Sequence, residues 1–223
     1  MPWFFARREG GGRAVIEGAD AGHLVRSLRA RAGEQIEVVD PAGAILTVRL
    51  DVVSKERVEG TIVGEREHRA EPQSRITIAV ANLPAPALEL VFSRCTELGA
   101  FSFHVIQADR SVARGARPER WATICREAAM LAGRLRVPPV AGPATLEDVL
   151  SSSEQPLFLA RDAGRRLADI REPRDLTLLI GPEGGWSERE IARAPLQASL
   201  GRLNLRADTA ALVALAVALA GRE

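Results

Sequence analysis

The chain has 223 residues, a formal charge of +1, 46% apolar and 26% charged side chains. That length suits one large domain or two modest ones with a sizeable core, and the balance of apolar and charged residues excludes a disordered chain. No apolar run is long enough to span a bilayer, the alanine-rich stretch from Ala210 to Ala220 being the longest candidate. Trp3-Phe4-Phe5 followed by Arg7-Arg8-Glu9 lacks the long apolar core and small-residue cleavage site of a leader, so a cytoplasmic protein is expected.

From Trp3 to about Glu67 the chain reads as short strands. Arg13 to Ile16, Gln35 to Val39, Ala44 to Leu50 and Val58 to Val63 alternate or cluster β-branched residues, with Asp40-Pro41-Ala42-Gly43 as a turn. His23 to Leu28 reads as a short helix capped by Asp20. The expectation is a small β-barrel. Glu65 to Ser74 is polar, contains Pro72 and has no apolar period, which marks a linker.

Beyond it strands and helices alternate. A strand from Arg75 to Val80 precedes a helix from Pro86 to Leu98, which Gly99 stops. A strand from Phe101 to Ile106 leads to a longer helix from Pro118 to about Leu135, with Trp121, Ile124, Cys125, Ala128 and Leu131 on one side. Strands follow near Leu157 to Ala160 and Thr177 to Ile180, with a final pair near Leu200 to Leu205. This order predicts an α/β domain with a mainly parallel sheet covered on both faces.

Seven arginines between Arg110 and Arg136 face only Glu119 and Glu127. Such a run fits either a nucleic-acid face or a solvated helix. Cys95 and Cys125 have no Cys-x-x-Cys spacing and read as buried free thiols; no metal site is expected.

The run Leu178-Leu179-Ile180-Gly181-Pro182-Glu183-Gly184-Gly185-Trp186-Ser187-Glu188-Arg189-Glu190 joins a buried strand to a glycine-rich turn and a helix start. Ser187 and Glu190 form a capping box, so a helix begins at about Glu188. Exposed amides at such a turn favour an anionic group, although glycines used only for turn geometry give the same pattern. No lysine follows the glycines, and the spacing is not G-x-G-x-x-G, so the common nucleotide motifs are excluded.

A second segment, Leu200-Gly201-Arg202-Leu203-Asn204-Leu205-Arg206-Ala207-Asp208-Thr209-Ala210-Ala211, leads into an apolar helix running toward Ala220. With the first loop, Thr96-Glu97-Leu98-Gly99, Arg110-Ser111-Val112, Glu127-Ala128-Ala129, Gly133-Arg134 and Val137-Pro138, it resembles the SPOUT class of S-adenosylmethionine-dependent RNA methyltransferases. Within that class it is most similar to the family that methylates N3 of a uridine in 16S ribosomal RNA. The ordered motifs run from about Pro2 to Ala220.

The resemblance implies an N-terminal PUA-like, RNA-binding β-barrel over residues 1–70 and a SPOUT-type α/β domain with a trefoil knot over 71–223. Its implied cofactor is S-adenosylmethionine, cradled by Ile180, Gly181, Gly185, Leu200, Gly201 and Leu205. Arg110 and Arg134 would meet RNA, and the implied partners are 16S ribosomal RNA or the small ribosomal subunit and a second copy of the chain in a homodimer. The apolar last helix suits that contact or packing within one subunit. Asp208 would accept the uridine N3 proton while Arg206 steadies charge on the uracil oxygens. From spacing alone the same two residues read as a helix cap and its ion pair.

Several positions depart from the family pattern. Ala85 replaces a lysine, Leu131 a glutamine, Arg202 and Leu203 a proline and an arginine, and Asp208 a glutamate, while Trp3 stands where arginine is common. They fall mainly on groups that would face RNA, so a SPOUT methyltransferase with another RNA target, or a non-catalytic RNA-binding or ribosome-assembly protein, are the alternatives.

Overall fold

The computed structural model describes residues 3–69, 71–170 and 175–220. Pro2, where the resemblance starts, and Ala70, at the expected boundary, lie outside them. The chain groups into two compact units, one of Met1–Glu71 with Ala129–Arg136, the other of Pro72–Ala128 with Val137–Glu223.

The first unit contains β1 (Phe4–Phe5), β2 (Arg7–Glu9), β3 (Arg13–Glu17), α1 (Ala19–Arg26), β4 (Gln35–Asp40), β5 (Ala44–Val53) and β6 (Arg57–Glu67). The sheet order is β1-β4-β5-β6-β3-β2. Its two edge strands are consecutive in sequence and only Ala6 separates them, so the sheet must curl until its edges meet. That makes a barrel. Gly60 permits the curl, because a Cβ there would lie 2.3 Å from the Arg49 carbonyl oxygen. Phe4, Leu24, Val38, Leu46 and Leu50 fill the interior. The first helix differs from expectation: it starts at Ala19 with Gly18 as N-cap, and Asp20 is buried in its first turn rather than capping it.

The second unit begins with β7 (Ile76–Ala81), α2 (Ala85–Leu98) and β8 (Ser102–Ile106). After α3 (Pro118–Ala132) come β9 (Val140–Ala144), α4 (Leu146–Ser152), β10 (Pro156–Leu159), β11 (Leu176–Ile180), α5 (Glu188–Ile191), β12 (Gln197–Ala198) and α6 (Ala207–Ala220). The sheet order is β12-β10-β11-β7-β8-β9, and every pairing is parallel. β11 is buried throughout, as a strand covered on both faces should be. β9 contains Gly142 and Pro143 and sits at the sheet edge, where a residue without an N–H is tolerated.

Gly99 ends α2 in the left-handed conformation, with φ 106°. The Ser187–Glu190 capping box opens α5 at Glu188. Cys95 and Cys125 are free and buried, and burial pushes the Cys95 thiol up. The expected strand pair over Leu200 to Leu205 is not formed; β12 ends at Ala198 and only Ser199 makes a further bridge, to Arg166. Among the described residues no helix is long and apolar enough to cross a membrane.

Candidate active site

β10 and β11 are sheet neighbours, yet β12 returns to the far side of β10. In parallel α/β sheets such a reversal opens a crevice beyond the C-terminal strand ends. Here the loops after β10, β11 and β12 enclose a cleft of about 570 Å³, a volume suited to a small-molecule cofactor.

All six residues expected to cradle the cofactor line this cleft: Ile180, Gly181, Gly185, Leu200, Gly201 and Leu205. Each glycine has its own reason. Gly181 leaves room, since a Cβ there would lie 3.1 Å from the Trp186 ring. Trp186 donates its indole N–H to the Leu159 carbonyl oxygen at 3.2 Å and packs on Phe158 with ring centroids 5.0 Å apart. Gly185 and Gly201 instead have positive φ, 71° and 129°, which L side chains rarely adopt. The Gly185 amide donates to the Pro182 carbonyl oxygen at 2.8 Å, closing the turn.

Arg110 also lines the cleft. Its guanidinium donates to the Gly184 carbonyl oxygen at 2.8 Å, so the loop after β8 is strapped onto the glycine turn. Asp109 makes the second strap. It accepts from Ser187 Oγ at 2.5 Å and from Arg189 Nε at 2.5 Å. These bonds, Arg189's first and then Ser187's, hold its carboxyl down at about 2. Buried Glu190 completes the join by accepting from the Asp109 amide at 3.0 Å and the Ser187 amide at 2.8 Å. Asn82, also buried, donates to Gln107 at 3.3 Å and to the Gly115 carbonyl oxygen at 3.2 Å, bracing the same loop.

Arg206 and Asp208 do not line the cleft, although Leu205, Ala207 and Ala210 around them do. Arg206 Nη2 lies 3.7 Å from Asp208 Oδ2. Asp208 Oδ1 accepts from the Thr209 amide at 2.6 Å, so Asp208 sits in the first turn of α6 rather than at its cap.

Arg134, expected to meet RNA, is buried. Its side chain is 4% exposed and grips Glu71 through Nη2 at 2.6 Å and Nε at 3.2 Å. The same carboxylate accepts from the Leu135 amide at 2.9 Å. A guanidinium buried and committed in this way braces the first unit. Polar side chains line the cleft as well, namely Arg161, Asp162, Glu183, Gln197 and Asn204. None of the three histidines does, and no cluster of potential metal ligands occurs among the described residues.

Sequence reasoning missed Asp109, Trp186, Arg189 and the loop from Leu159 to Ala163. Asp109 next to Arg110 was the available signal, but nothing local ties it to a helix 80 residues away.

Residues 69–219 match the family model of the RNA methyltransferase domain. The chain belongs to that family. Residues 16–63 match the PUA domain of RNA methyltransferases. RNA methyltransferase relatives named ribosomal RNA small subunit methyltransferase E include that of Mycobacterium tuberculosis, 31% identical over 92% of this chain and 85% of that one. Another, from Bacillus subtilis, is 30% identical over 90% and 87%. A solved structure of that enzyme from Neisseria gonorrhoeae, bound to S-adenosyl methionine, superposes with a TM-score of 0.86 at 28% identity, covering 97% of this chain and 95% of that one. A Legionella pneumophila protein in complex with the same cofactor gives a TM-score of 0.86 at 26% identity, over 98% and 96%.

Proposed function

We propose that the protein transfers a methyl group from S-adenosylmethionine to N3 of a uridine in 16S ribosomal RNA. The observation that carries this reading is the convergence of Gly181, Gly185, Gly201, Leu200 and Leu205 on one cleft at the C-terminal strand ends. The names of the relatives and the cofactor in two related structures support it.

The residues fit the cofactor. Ile180, Leu200 and Leu205 offer apolar wall for an adenine, and glycine turns leave main-chain groups open to the polar parts. When bound, S-adenosylmethionine supplies an electrophilic methyl group on a sulfonium. This chain's residues must then position the acceptor and take its proton, because neutral uridine N3 is a poor nucleophile. Asp208 accepts that proton on Oδ2, Oδ1 being held by the Thr209 amide. Arg206, 71% exposed, steadies the negative charge that spreads onto the uracil oxygens. Arg110 holds the glycine turn and presents its remaining N–H groups to the RNA.

The reading includes the trefoil knot and a homodimer. The parallel Arg166–Ser199 bridge, which pairs the segment after β10 with the one after β12, supports the knot. Thr209, Val213, Ala216 and Ala220 form an exposed, mostly apolar stripe on α6 that suits a second copy. Mass mapping of ribosomal RNA from cells with and without the gene tests the function. The expected result is loss of one methyluridine in small-subunit RNA; an unchanged map refutes it, and loss at another position redirects it.

A further inference from the structure

The turn that follows β10 has a fixed main chain and two charges at its tip. The Ala160 amide donates to the Ala198 carbonyl oxygen at 3.0 Å, and the Ala163 amide to the Ala160 carbonyl oxygen at 3.2 Å, so Arg161 and Asp162 occupy the two central positions of a closed turn. Farther along, the Ser199 amide donates to the Arg165 carbonyl oxygen at 2.8 Å and the Leu167 amide to that of Ser199 at 2.9 Å. The chain is thus held on both sides. At the tip, Arg161 Nε and Nη2 donate to the two Asp162 carboxylate oxygens at 3.0 and 3.1 Å, and neither side chain bonds any other described residue. They are 56% and 83% exposed, and an ion pair in that setting adds little to stability. The fold does not depend on it.

Both residues line the cofactor cleft, where the charged side chains among the described residues are Arg110, Arg161, Asp162 and Glu183. Arg110 is tied to the Gly184 carbonyl oxygen. Glu183 stands on the glycine turn, which the Gly185 amide closes onto the Pro182 carbonyl oxygen. Only Arg161 and Asp162 set a cation and an anion side by side. The cleft therefore has an apolar portion at Ile180, Leu200 and Leu205 and a doubly charged portion on the β10 turn. S-adenosylmethionine is divided in the same way. It has an adenine at one end and, at the other, an amino-acid group whose ammonium and carboxylate sit on one carbon. Each of those charges, drawn out of water, needs a counter-charge.

We propose that the Arg161–Asp162 pair opens when the cofactor enters and that its two halves take the amino-acid end, Arg161 the carboxylate and Asp162 the ammonium. This deepens the functional reading and rests on the cofactor that reading names. A guanidinium fork matches a carboxylate through two parallel N–H donors, and the Asp162 carboxylate, which only accepts, suits an ammonium. One weak exposed contact is exchanged for two charge-assisted ones. Because the main chain of the turn is already fixed, the exchange orders two side chains and little else. A ligand with the same adenosine and sulfur but no amino-acid end gains nothing from it.

The test is calorimetry on the full chain with two thioethers, S-adenosylhomocysteine and methylthioadenosine, the second of which lacks the amino-acid end. The native chain should prefer the first. Arg161→Gln and Asp162→Asn should each weaken S-adenosylhomocysteine by about tenfold, the worth of one contact to a charged group, and leave methylthioadenosine nearly unchanged. Arg161→Lys, which keeps the charge and loses the fork, should fall between Arg161→Gln and the native chain. Arg193→Gln, from an ion pair outside the cleft, should alter neither affinity. Variants that bind both ligands as the native chain does, or that lose both equally, overturn the proposal. So does a preference that Glu183→Gln removes and Asp162→Asn keeps, which moves the ammonium to the glycine turn. Binding is read without RNA. A chain that tells the two ligands apart through this pair yet transfers no methyl group to ribosomal RNA would sink the functional reading and leave this one standing; ribosomal RNA methylation by a chain with no preference between them would do the reverse.

Discussion

Asp109 and Arg189, 80 residues apart in sequence, share a hydrogen bond of 2.5 Å that joins the loop after β8 to the helix following the glycine turn. One wall of the cleft therefore depends on a contact outside it. Asp109→Ala should weaken S-adenosylmethionine binding severalfold by calorimetry while leaving the melting temperature nearly unchanged, since the pair is on the surface.

The same carboxylate sets a pH expectation. Its folded value of about 2 lies below its ordinary 3.8, so whatever the clamp contributes is fully present above pH 4 and is lost as pH falls through about 2. Cofactor affinity should thus show no Asp109 titration between pH 5 and 8 in either the native chain or Asp109→Asn, in the sense that the two curves run parallel. A titration in that window that Asp109→Asn abolishes would contradict the clamp.

The glycines of the cleft should separate by substitution to alanine. At Gly201, with φ 129°, a Cβ brings backbone strain of about 1–3 kcal/mol, and cofactor affinity should fall correspondingly. At Gly184 the added Cβ would meet Arg110 at an ordinary 3.5 Å, so Gly184→Ala should bind nearly as the native chain does. Gly181→Val should displace Trp186, read as a shift in tryptophan emission together with lost binding.

Glu71→Ala should destabilise the first unit by up to about 3–5 kcal/mol, because it removes the carboxylate that the buried Arg134 guanidinium grips. Thermal melting measures this. Arg134→Met, which removes the charge as well, should cost less. If instead Arg134→Met folds normally but loses RNA affinity, the bracing role is wrong.

Asp208→Asn should lower kcat by roughly 10²–10⁴, the usual worth of a positioned general base, with S-adenosylmethionine affinity unchanged. Unaltered turnover on bound RNA would remove Asp208 from the chemistry and leave it as part of the first turn of α6.

Local signals were legible and long-range ones were not. The Ser187–Glu190 box and the Gly99 stop depend on residues within one turn, and both elements begin or end where their sequences indicate. The cofactor loops were found through the resemblance, and their meeting in one cleft required the sheet order. Helix α4 carries a capping box at Thr145 and Asp148, a local signal of the same kind. β9, with Gly142 and Pro143, has no strand pattern and exists because an edge accepts it. The burial of Arg134 cannot be read from a charge run: Glu71, which it grips, lies 63 positions earlier.

Isothermal titration of S-adenosylmethionine into the native chain and into Gly201→Ala and Gly184→Ala tests the central claim most directly. One molecule per chain should bind the native protein and Gly184→Ala with closely similar affinity, and Gly201→Ala much more weakly. Absence of binding to the native chain, or equal binding to all three, would contradict a cofactor cradled by these turns.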